Sequence, residues 1–280
     1  MNNKKILILG SAGQLAQAFI SALEERGLDY IAPEEQASSI ADFELISRLL
    51  DEVKPDVVIN CAAYNAVEEA EEDPDLAFLV NGGAVENLAQ QCEKRGMFLV
   101  HYGSDYVFDG LKQDLYTEED TPHPLNVYGK SKLAGENAVR ETMSRYLVFR
   151  LSWVIGKGKQ NFFYKLSGWA KKSRILKISA DEVSVPTFTT NVVDVTLESL
   201  EKGLTGLYHL TNSGYASRYE LARYYVAAKK LKNMVIPVPM SYFKTALNRP
   251  LFSAMSNQKI QKELGIEIPT WQEGVDRFCE

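Results

Sequence analysis

Two tyrosine–lysine pairs four residues apart, Tyr128/Lys132 and Tyr225/Lys229, are the side chains of this sequence best suited to moving a proton. A spacing of four places both members on one face of a helix. A phenol titrating near ~10 is a poor acid at neutral pH, and a neighbouring ammonium lowers that value until the phenol can protonate a carbonyl. Context separates the pairs. Tyr128 follows an apolar strand that ends in Gly103-Ser104-Asp105, and the Ser104 hydroxyl can reach the same substrate oxygen. Tyr225 lies in an amphipathic stretch and reads as packing, as do Tyr215, Tyr219 and Tyr224. A third feature binds rather than reacts. Gly10-Ser11-Ala12-Gly13-Gln14-Leu15-Ala16 follows a strand and opens a helix. Gly10 permits the tight turn, Gly13 a close backbone approach to a pyrophosphate, and Ala16 close helix–strand packing. The free N–H groups of the helix start favour phosphate.

The surrounding pattern supplies the frame these residues need. Lys5–Leu9, Asp29–Ala32, Pro55–Asn60, Phe98–Tyr102 and Tyr146–Arg150 are apolar runs without polar alternation. Helical periodicity separates them over Gln14–Arg26, a stretch capped by Asp42, Asp75–Arg95 and Gly129–Thr142. Such a chain is α/β, with a doubly wound parallel sheet covered on both faces. Residues 1–150 are expected to form a dinucleotide-binding domain. Residues 151–280, richer in Tyr, Lys and Pro, are expected to form mainly a smaller substrate domain that partly returns to the first and closes a cleft. A helix near Phe162–Lys172, a strand near Ile175–Ser179 and a helix near Val192–Lys202 are legible there.

With these motifs in place, Ser104-Asp105-Tyr106-Val107-Phe108-Asp109-Gly110 and Tyr128-Gly129-Lys130-Ser131-Lys132-Leu133-Ala134-Gly135-Glu136 resemble the extended short-chain dehydrogenase/reductase superfamily. Within it, they resemble the dTDP-4-dehydrorhamnose reductase family. Asn60-Cys61-Ala62-Ala63-Tyr64, Arg150-Leu151-Ser152-Trp153-Val154, Pro186-Thr187 and Arg249-Pro250 extend the likeness over essentially the whole chain. The resemblance implies a Rossmann fold and an NADH- or NADPH-dependent reduction of the 4-keto group of a nucleotide-linked deoxysugar, dTDP-4-dehydrorhamnose to dTDP-L-rhamnose. It implies a catalytic trio of Ser104, Tyr128 and Lys132. Lys132 would hold the nicotinamide ribose and depress the pKa of Tyr128. Cofactor contacts would come from Gly10, Gly13, Gln14, Leu15, Ser39, Ile40, Ala63, Tyr64 and Asn65, besides Tyr128 and Lys132. Substrate contacts would come from Ser104, Asp105, Tyr106 and Trp153, with Asn161 and Arg249 toward the nucleotide.

Three departures from the family pattern bear on sugar and cofactor preference. Asn65 replaces a usual threonine, Ser39 stands where aspartate is common, and Asp181–Thr187 lacks the typical Gln and Gly before Pro-Thr. Some relatives carry a metal-bridging glutamate soon after the glycine motif. Ala16-Gln17-Ala18 offers no carboxylate, so no metal is expected. A reductase, epimerase or dehydratase on a different nucleotide sugar is the alternative enzyme, and a non-catalytic nucleotide-binding subunit of the same fold the alternative class. The latter should have lost one of the three catalytic groups, and all three are present.

Composition excludes other classes. Of 280 residues, 31 are basic and 37 acidic, a net charge of −6 with no basic stripe, which argues against nucleic acid as a partner. No apolar stretch approaches the ~18–20 residues of a membrane span. Three cysteines without a C-x-x-C pair indicate reduced thiols and a cytoplasmic setting. A monomer or weak homodimer is expected. The acids at Glu68, Glu69, Glu71, Glu72 and Asp73 read as a solvated helix start, and His101 as a satisfied core histidine. The segment after the second strand, Pro33-Glu34-Glu35, has acids and no basic residue before Arg48. An acid there suits a ribose 2′-OH and opposes a 2′-phosphate, so NADH is expected to serve at least as well as NADPH.

Overall fold

An apolar strand with no polar face needs cover on both sides, and the five apolar runs lie together in one parallel sheet. This computed structural model describes residues 4–243 and 247–280. The first half contains β1 (Ile6–Leu9), α1 (Gln14–Glu25), β2 (Tyr30–Ile31), α2 (Phe43–Val53), β3 (Val57–Asn60), α3 (Glu69–Glu72), α4 (Pro74–Phe78), α5 (Ala84–Lys94), β4 (Phe98–Ser104), α6 (Val127–Thr142) and β5 (Tyr146–Leu151). The second contains β6 (Val154–Ile155), α7 (Phe162–Lys172), β7 (Ile175–Ser179), β8 (Val183–Ser184), β9 (Thr187–Phe188), α8 (Thr189–Glu201), β10 (Gly206–His209), β11 (Ala216–Ser217), α9 (Arg218–Ala228), β12 (Met234–Val238), α10 (Gln258–Leu264) and α11 (Trp271–Cys279).

The six-stranded sheet runs β10-β5-β4-β3-β1-β2, every pairing parallel. Successive side chains of a strand face opposite ways. Ile6 and Ile8 accordingly join a core with Phe19 of α1, Phe149, and Val192 and Leu197 of α8. Leu7 and Leu9 join another with Leu50 of α2, Leu88 of α5 and Val139 of α6. From β1 the chain passes to β2 on one side and then to β3 on the other. That reversal opens a crevice beyond the carboxyl ends of β1 and β3, where doubly wound sheets bind ligands.

Three two-stranded sheets, β6·β9, β7·β12 and β8·β11, are formed by the second half of the chain, and β6 brings Val154 to this crevice. They and α7, α9 and α11 enclose a separate apolar cluster around Phe163, Phe188, Tyr225 and Trp271. Strand β10 and helix α8, from the second half of the chain, pack into the main sheet and its core. The single helix expected over Asp75–Arg95 is instead α4, a π-helical turn at Leu79–Gly83, and α5. Asn81-Gly82-Gly83, three weak helix formers in succession, sits at that turn. Among the described residues no helix is long and apolar enough to cross a membrane.

Candidate active site

A cleft of about 520 Å³ lies over the crevice, lined by the glycine loop, the ends of β3, β4 and β5, and residues from the second half of the chain. Ligand sites in enzymes are commonly of this size.

At its sheet side, Gly10 adopts φ +76°, and a Cβ there would lie 2.6 Å from the Ala62 backbone nitrogen. The turn leads to Gly13, which precedes α1 with no side-chain cap, leaving the first N–H groups of a 12-residue helix open toward the cleft. Gln14 fixes the loop to the opposite wall. Its Nε2 donates to the Val154 carbonyl (3.1 Å) and its Oε1 accepts from the Gly156 N–H (3.1 Å). This uncapped cradle, without a side chain at Gly10 or Gly13, fits a dinucleotide pyrophosphate.

The reactive end is built by β4 and α6. Asn126 starts α6 by accepting the Gly129 N–H (2.8 Å). A Cβ on Gly129 would fall 2.2 Å from the Tyr106 carbonyl oxygen, so glycine here lets the helix abut the end of β4. Tyr128, Ser104 and Lys132 all line the cleft and all are buried. The Tyr128 hydroxyl donates to Asn65 Oδ1 (3.3 Å), and its ring meets that of Tyr106 edge-on at 5.5 Å. Burial raises the Tyr128 phenol above its ordinary range, and a hydrogen bond with Ser104 opposes the shift. The group is therefore protonated at neutral pH, the form a proton donor needs.

Lys132 corrects one expectation. Its Nζ donates to the Tyr102 carbonyl oxygen (2.7 Å) and, among the described residues, makes no hydrogen bond with Tyr128, whose phenol is raised by burial rather than lowered by a cation. Burial pushes Lys132 itself down to about 8, and the Glu136 carboxylate one turn along α6 draws it back up. Glu136 in turn is held by Arg150, through Nε to Oε2 (2.8 Å) and Nη2 to Oε1 (2.6 Å), both residues fully buried.

Asp105 also lies in the cleft wall, and three hydroxyls donate to it. Ser253 (2.6 Å) and Ser184 (2.8 Å) bond Oδ2, and Ser104 (3.3 Å) bonds Oδ1. Burial moves its carboxyl up to about 6 against these bonds. Trp153 takes the left-handed conformation, φ +39°, and lies in the same wall. Arg249 donates from Nη1 to the Tyr106 hydroxyl (3.0 Å) and from Nη2 to Glu68.

Gly13, Gln14, Leu15, Ala63 and Asn65 thus share one cavity with the reactive trio and with Asp105, Tyr106, Trp153 and Arg249. Gly10 shapes the loop from behind. Tyr64 packs against Tyr106 and Tyr128 rather than lining the cleft. Ser39 lies outside the lining, and Ile40 is in the sheet core with Leu9 and Ile46. Asn161 is also outside it. Its Oδ1 caps α7 at the Tyr164 N–H (3.0 Å), and its Nδ2 donates to Gly156 O (2.7 Å) and Gly158 O (3.1 Å), which engages both amide N–H groups within the chain.

Sequence reasoning passed over several residues that shape the site. In the π-helical turn, Asn81 accepts the Tyr64 N–H (2.9 Å) and donates to the Tyr64 carbonyl (2.9 Å) and to Ser131 Oγ (3.0 Å). It thereby clamps the Asn65 loop to α6. Its poor helix-forming surroundings were the available signal. Arg218, at the start of α9, lines the cleft with no local signal to mark it. The acidic run is more than a solvated helix start: Glu71 accepts the first N–H of α6, from Val127 (2.7 Å), and Glu68 pairs with Arg249. His101 bonds Asn60 Nδ2 through Nδ1 (3.2 Å), but its buried Nε2 has no partner among the described residues, so it is only half satisfied.

Comparison with known proteins bears on this geometry. The family model described as "RmlD substrate binding domain" matches residues 4–280. A dTDP-4-dehydrorhamnose reductase of Burkholderia thailandensis is 35% identical over 288 residues, 97% of this chain and 96% of that protein. The spore coat polysaccharide biosynthesis protein SpsK of Bacillus subtilis is 31% identical, covering 99% of this chain and 97% of that protein. The crystal structure of a dTDP-4-dehydrorhamnose reductase from Bacillus anthracis in complex with NADP superposes with a TM-score of 0.95 at 30% identity, covering 99% of each chain.

Proposed function

The chain belongs to the dTDP-4-dehydrorhamnose reductase family and is an NAD(P)H-dependent oxidoreductase acting on the keto group of a sugar; on that premise we propose that its substrate is dTDP-4-dehydrorhamnose and its product dTDP-L-rhamnose. One observation supports this reading above the others. A protonated tyrosine hydroxyl, a serine hydroxyl and a lysine converge on a cleft whose far end is an open helix N-terminus able to take a pyrophosphate.

In this reading Gly13, Gln14 and Leu15 hold the cofactor, with Ala63 and Asn65 along its course. Bound there, the cofactor supplies hydride to the carbonyl carbon. Tyr128 gives its phenolic proton to the carbonyl oxygen, so that the C=O becomes CH–OH. Ser104 hydrogen-bonds that same oxygen and positions it. Before substrate binds, the Ser104 hydroxyl donates to Asp105 Oδ1 (3.3 Å), and it turns that single proton to the ketone oxygen when the sugar is in place. Lys132 brings positive charge into the cleft, and its remaining N–H groups suit the cofactor's ribose hydroxyls. Trp153 and Tyr106 flank the sugar. General acid catalysis of this kind contributes ~10²–10⁴-fold.

The test is to mix the protein with NADPH or NADH and dTDP-4-dehydrorhamnose, following loss of the reduced cofactor's absorbance and identifying the product sugar by NMR. One equivalent of cofactor oxidised per sugar consumed, with dTDP-L-rhamnose formed, is expected. Sugar conversion without net cofactor oxidation would identify an epimerase or dehydratase instead, and no turnover of any nucleotide 4-keto sugar would favour a binding subunit.

A further inference from the structure

Three arginines near the cleft differ in what their guanidinium groups have to do. Arg150 is fully engaged, by both oxygens of Glu136 and by His209 (3.3 Å). Arg249 has Nη1 committed to Tyr106, Nη2 to Glu68, and Nε buried without a partner among the described residues. Arg218 is the exception. Among the described residues its guanidinium makes no hydrogen bond. Its only ion-pair partner among the described residues, Glu182, stands 3.8 Å away, beyond hydrogen-bond reach. Its side chain is nevertheless only 19% exposed and lines the cleft.

The group is held still. Its Cζ lies 3.5 Å over the ring of Trp153 and 5.2 Å over that of Phe162. Trp153 presents its ring from a left-handed backbone conformation, which for so large a residue persists only where its surroundings enforce it. The Arg218 backbone is fixed as well, its N–H donating to the Glu182 carbonyl (3.2 Å) beside the β8·β11 pairing. A desolvated cation without hydrogen bonds is unfavourable. A planar fork of unused donors, braced on an aromatic face and opening on a cleft, is suited to bidentate oxyanions.

We propose that Arg218 is the binding residue that takes the diphosphate of the nucleotide sugar, an inference that rests on the function proposed above. Position supports the diphosphate of the substrate over that of the cofactor. The groups whose charges act on Arg218 are Glu182, Tyr106, Arg249 and Asp105, none of them in the glycine loop. In a pyranose the diphosphate-bearing C1 lies across the ring from C4. With the ketone held at Ser104 and Tyr128, the diphosphate extends away from them along the cleft, whose lining from the second half of the chain includes Arg218 on Trp153. Arg249, whose donors are spent on Tyr106 and Glu68, adds positive potential there without offering an open edge.

The experiment is a calorimetric titration of the full chain with dTDP, UDP and thymidine, using wild type, Arg218→Met, Arg218→Lys and the double variant Arg218→Met/Glu182→Gln. The double variant leaves no buried carboxylate unpaired, which guards against loss of folding. Arg218→Met and the double variant should weaken nucleoside diphosphate binding tenfold or more and leave thymidine and cofactor binding within twofold. Arg218→Lys should restore only part of the loss, because an ammonium lacks the planar fork. In turnover the loss should fall on KM, with kcat changed less than threefold. Wild-type binding of dTDP or UDP with the double variant equal to it within twofold would overturn this inference alone. Wild-type failure to bind either diphosphate would overturn the functional reading beneath it.

Discussion

The pairs Tyr128/Lys132 and Tyr225/Lys229 share a spacing and a helical face, and their surroundings make them different objects. The Tyr225 ring stacks on Phe163 at 4.2 Å, and its hydroxyl shares a hydrogen bond with Ser167 Oγ (2.8 Å) inside the apolar cluster of the second half. Lys229 reaches the Cys279 carbonyl (2.6 Å) at the exposed end of α9. Tyr128 and Lys132 are instead buried at the carboxyl end of β4, and their polar atoms face a cleft. The helices differ to match. Helix α6 carries Gly129 and Gly135, where a Cβ would fall 2.2 Å from Tyr106 O and 2.0 Å from Asn81 O, whereas α9 has no glycine. Spacing puts two groups on one face. Chemistry requires in addition that the helix be pressed end-on against a strand terminus.

The comparison is broken most sharply at the lysines. Lys132→Met should lower kcat/KM about 10²-fold, and Lys229→Met should leave it within twofold, both measured by cofactor oxidation. The pH profile sharpens this. Lys132 is held at about 8, below its free value of 10.5, so its charge is lost as pH rises past 8. Wild-type kcat/KM should therefore fall on the alkaline side near pH 8, and Lys132→Met should lack that limb. The same shift makes the unfolded chain bind more protons between pH 8 and 10.5, so this group's contribution to stability rises with pH across that window. An alkaline limb unchanged in Lys132→Met would sink the assignment.

A smaller effect concerns the packing of the two helices' surroundings. Gly135→Ala should destabilise the fold by ~1–3 kcal/mol through the clash with the π-helical turn, despite alanine's better helix propensity. Gly168→Ala in α7 meets nothing within 4 Å and should stabilise by ~0.5–1 kcal/mol. Denaturant titration of both variants checks the pair, and equal effects would contradict the close approach of α6.

The smallest effect expected is in cofactor choice. Ser11 Oγ donates to the Pro33 carbonyl (2.6 Å), which sets Glu34 and Glu35 beside the glycine loop. NADH should match or exceed NADPH in kcat/KM. A preference for NADPH above tenfold, ~1.4 kcal/mol, would show that these acids do not meet the ribose.

Much of the frame was legible because it rests on short-range rules. The apolar runs became the sheet, Asp42 caps α2 through the Leu45 N–H (2.9 Å), and α7 and β7 have the bounds their periodicity suggests. The glycine loop and the Ser104, Tyr128 and Lys132 cluster were legible because their residue types are unusual where they stand. What escaped depends on contacts distant in sequence. Asp105 gathers hydroxyls from residues 79 and 148 positions away, and Asn81 clamps a loop and a helix at separations of 17 and 50. Arg218 follows an ordinary Ser217 cap, and only the fold brings it onto Trp153. The Tyr128–Lys132 coupling was misjudged for the same reason. Spacing shows that two side chains share a face, but the Tyr102 carbonyl that takes up the Lys132 ammonium comes from another element.

The central claim is that Tyr128, and not its twin, delivers the proton. The direct measurement is single-turnover reduction of dTDP-4-dehydrorhamnose by Tyr128→Phe and Tyr225→Phe, with cofactor affinity determined in parallel. Tyr128→Phe should lose ~10²-fold or more in rate with cofactor affinity within twofold of wild type, and Tyr225→Phe should react at the wild-type rate. A Tyr128→Phe protein reacting within twofold of wild type would contradict the account.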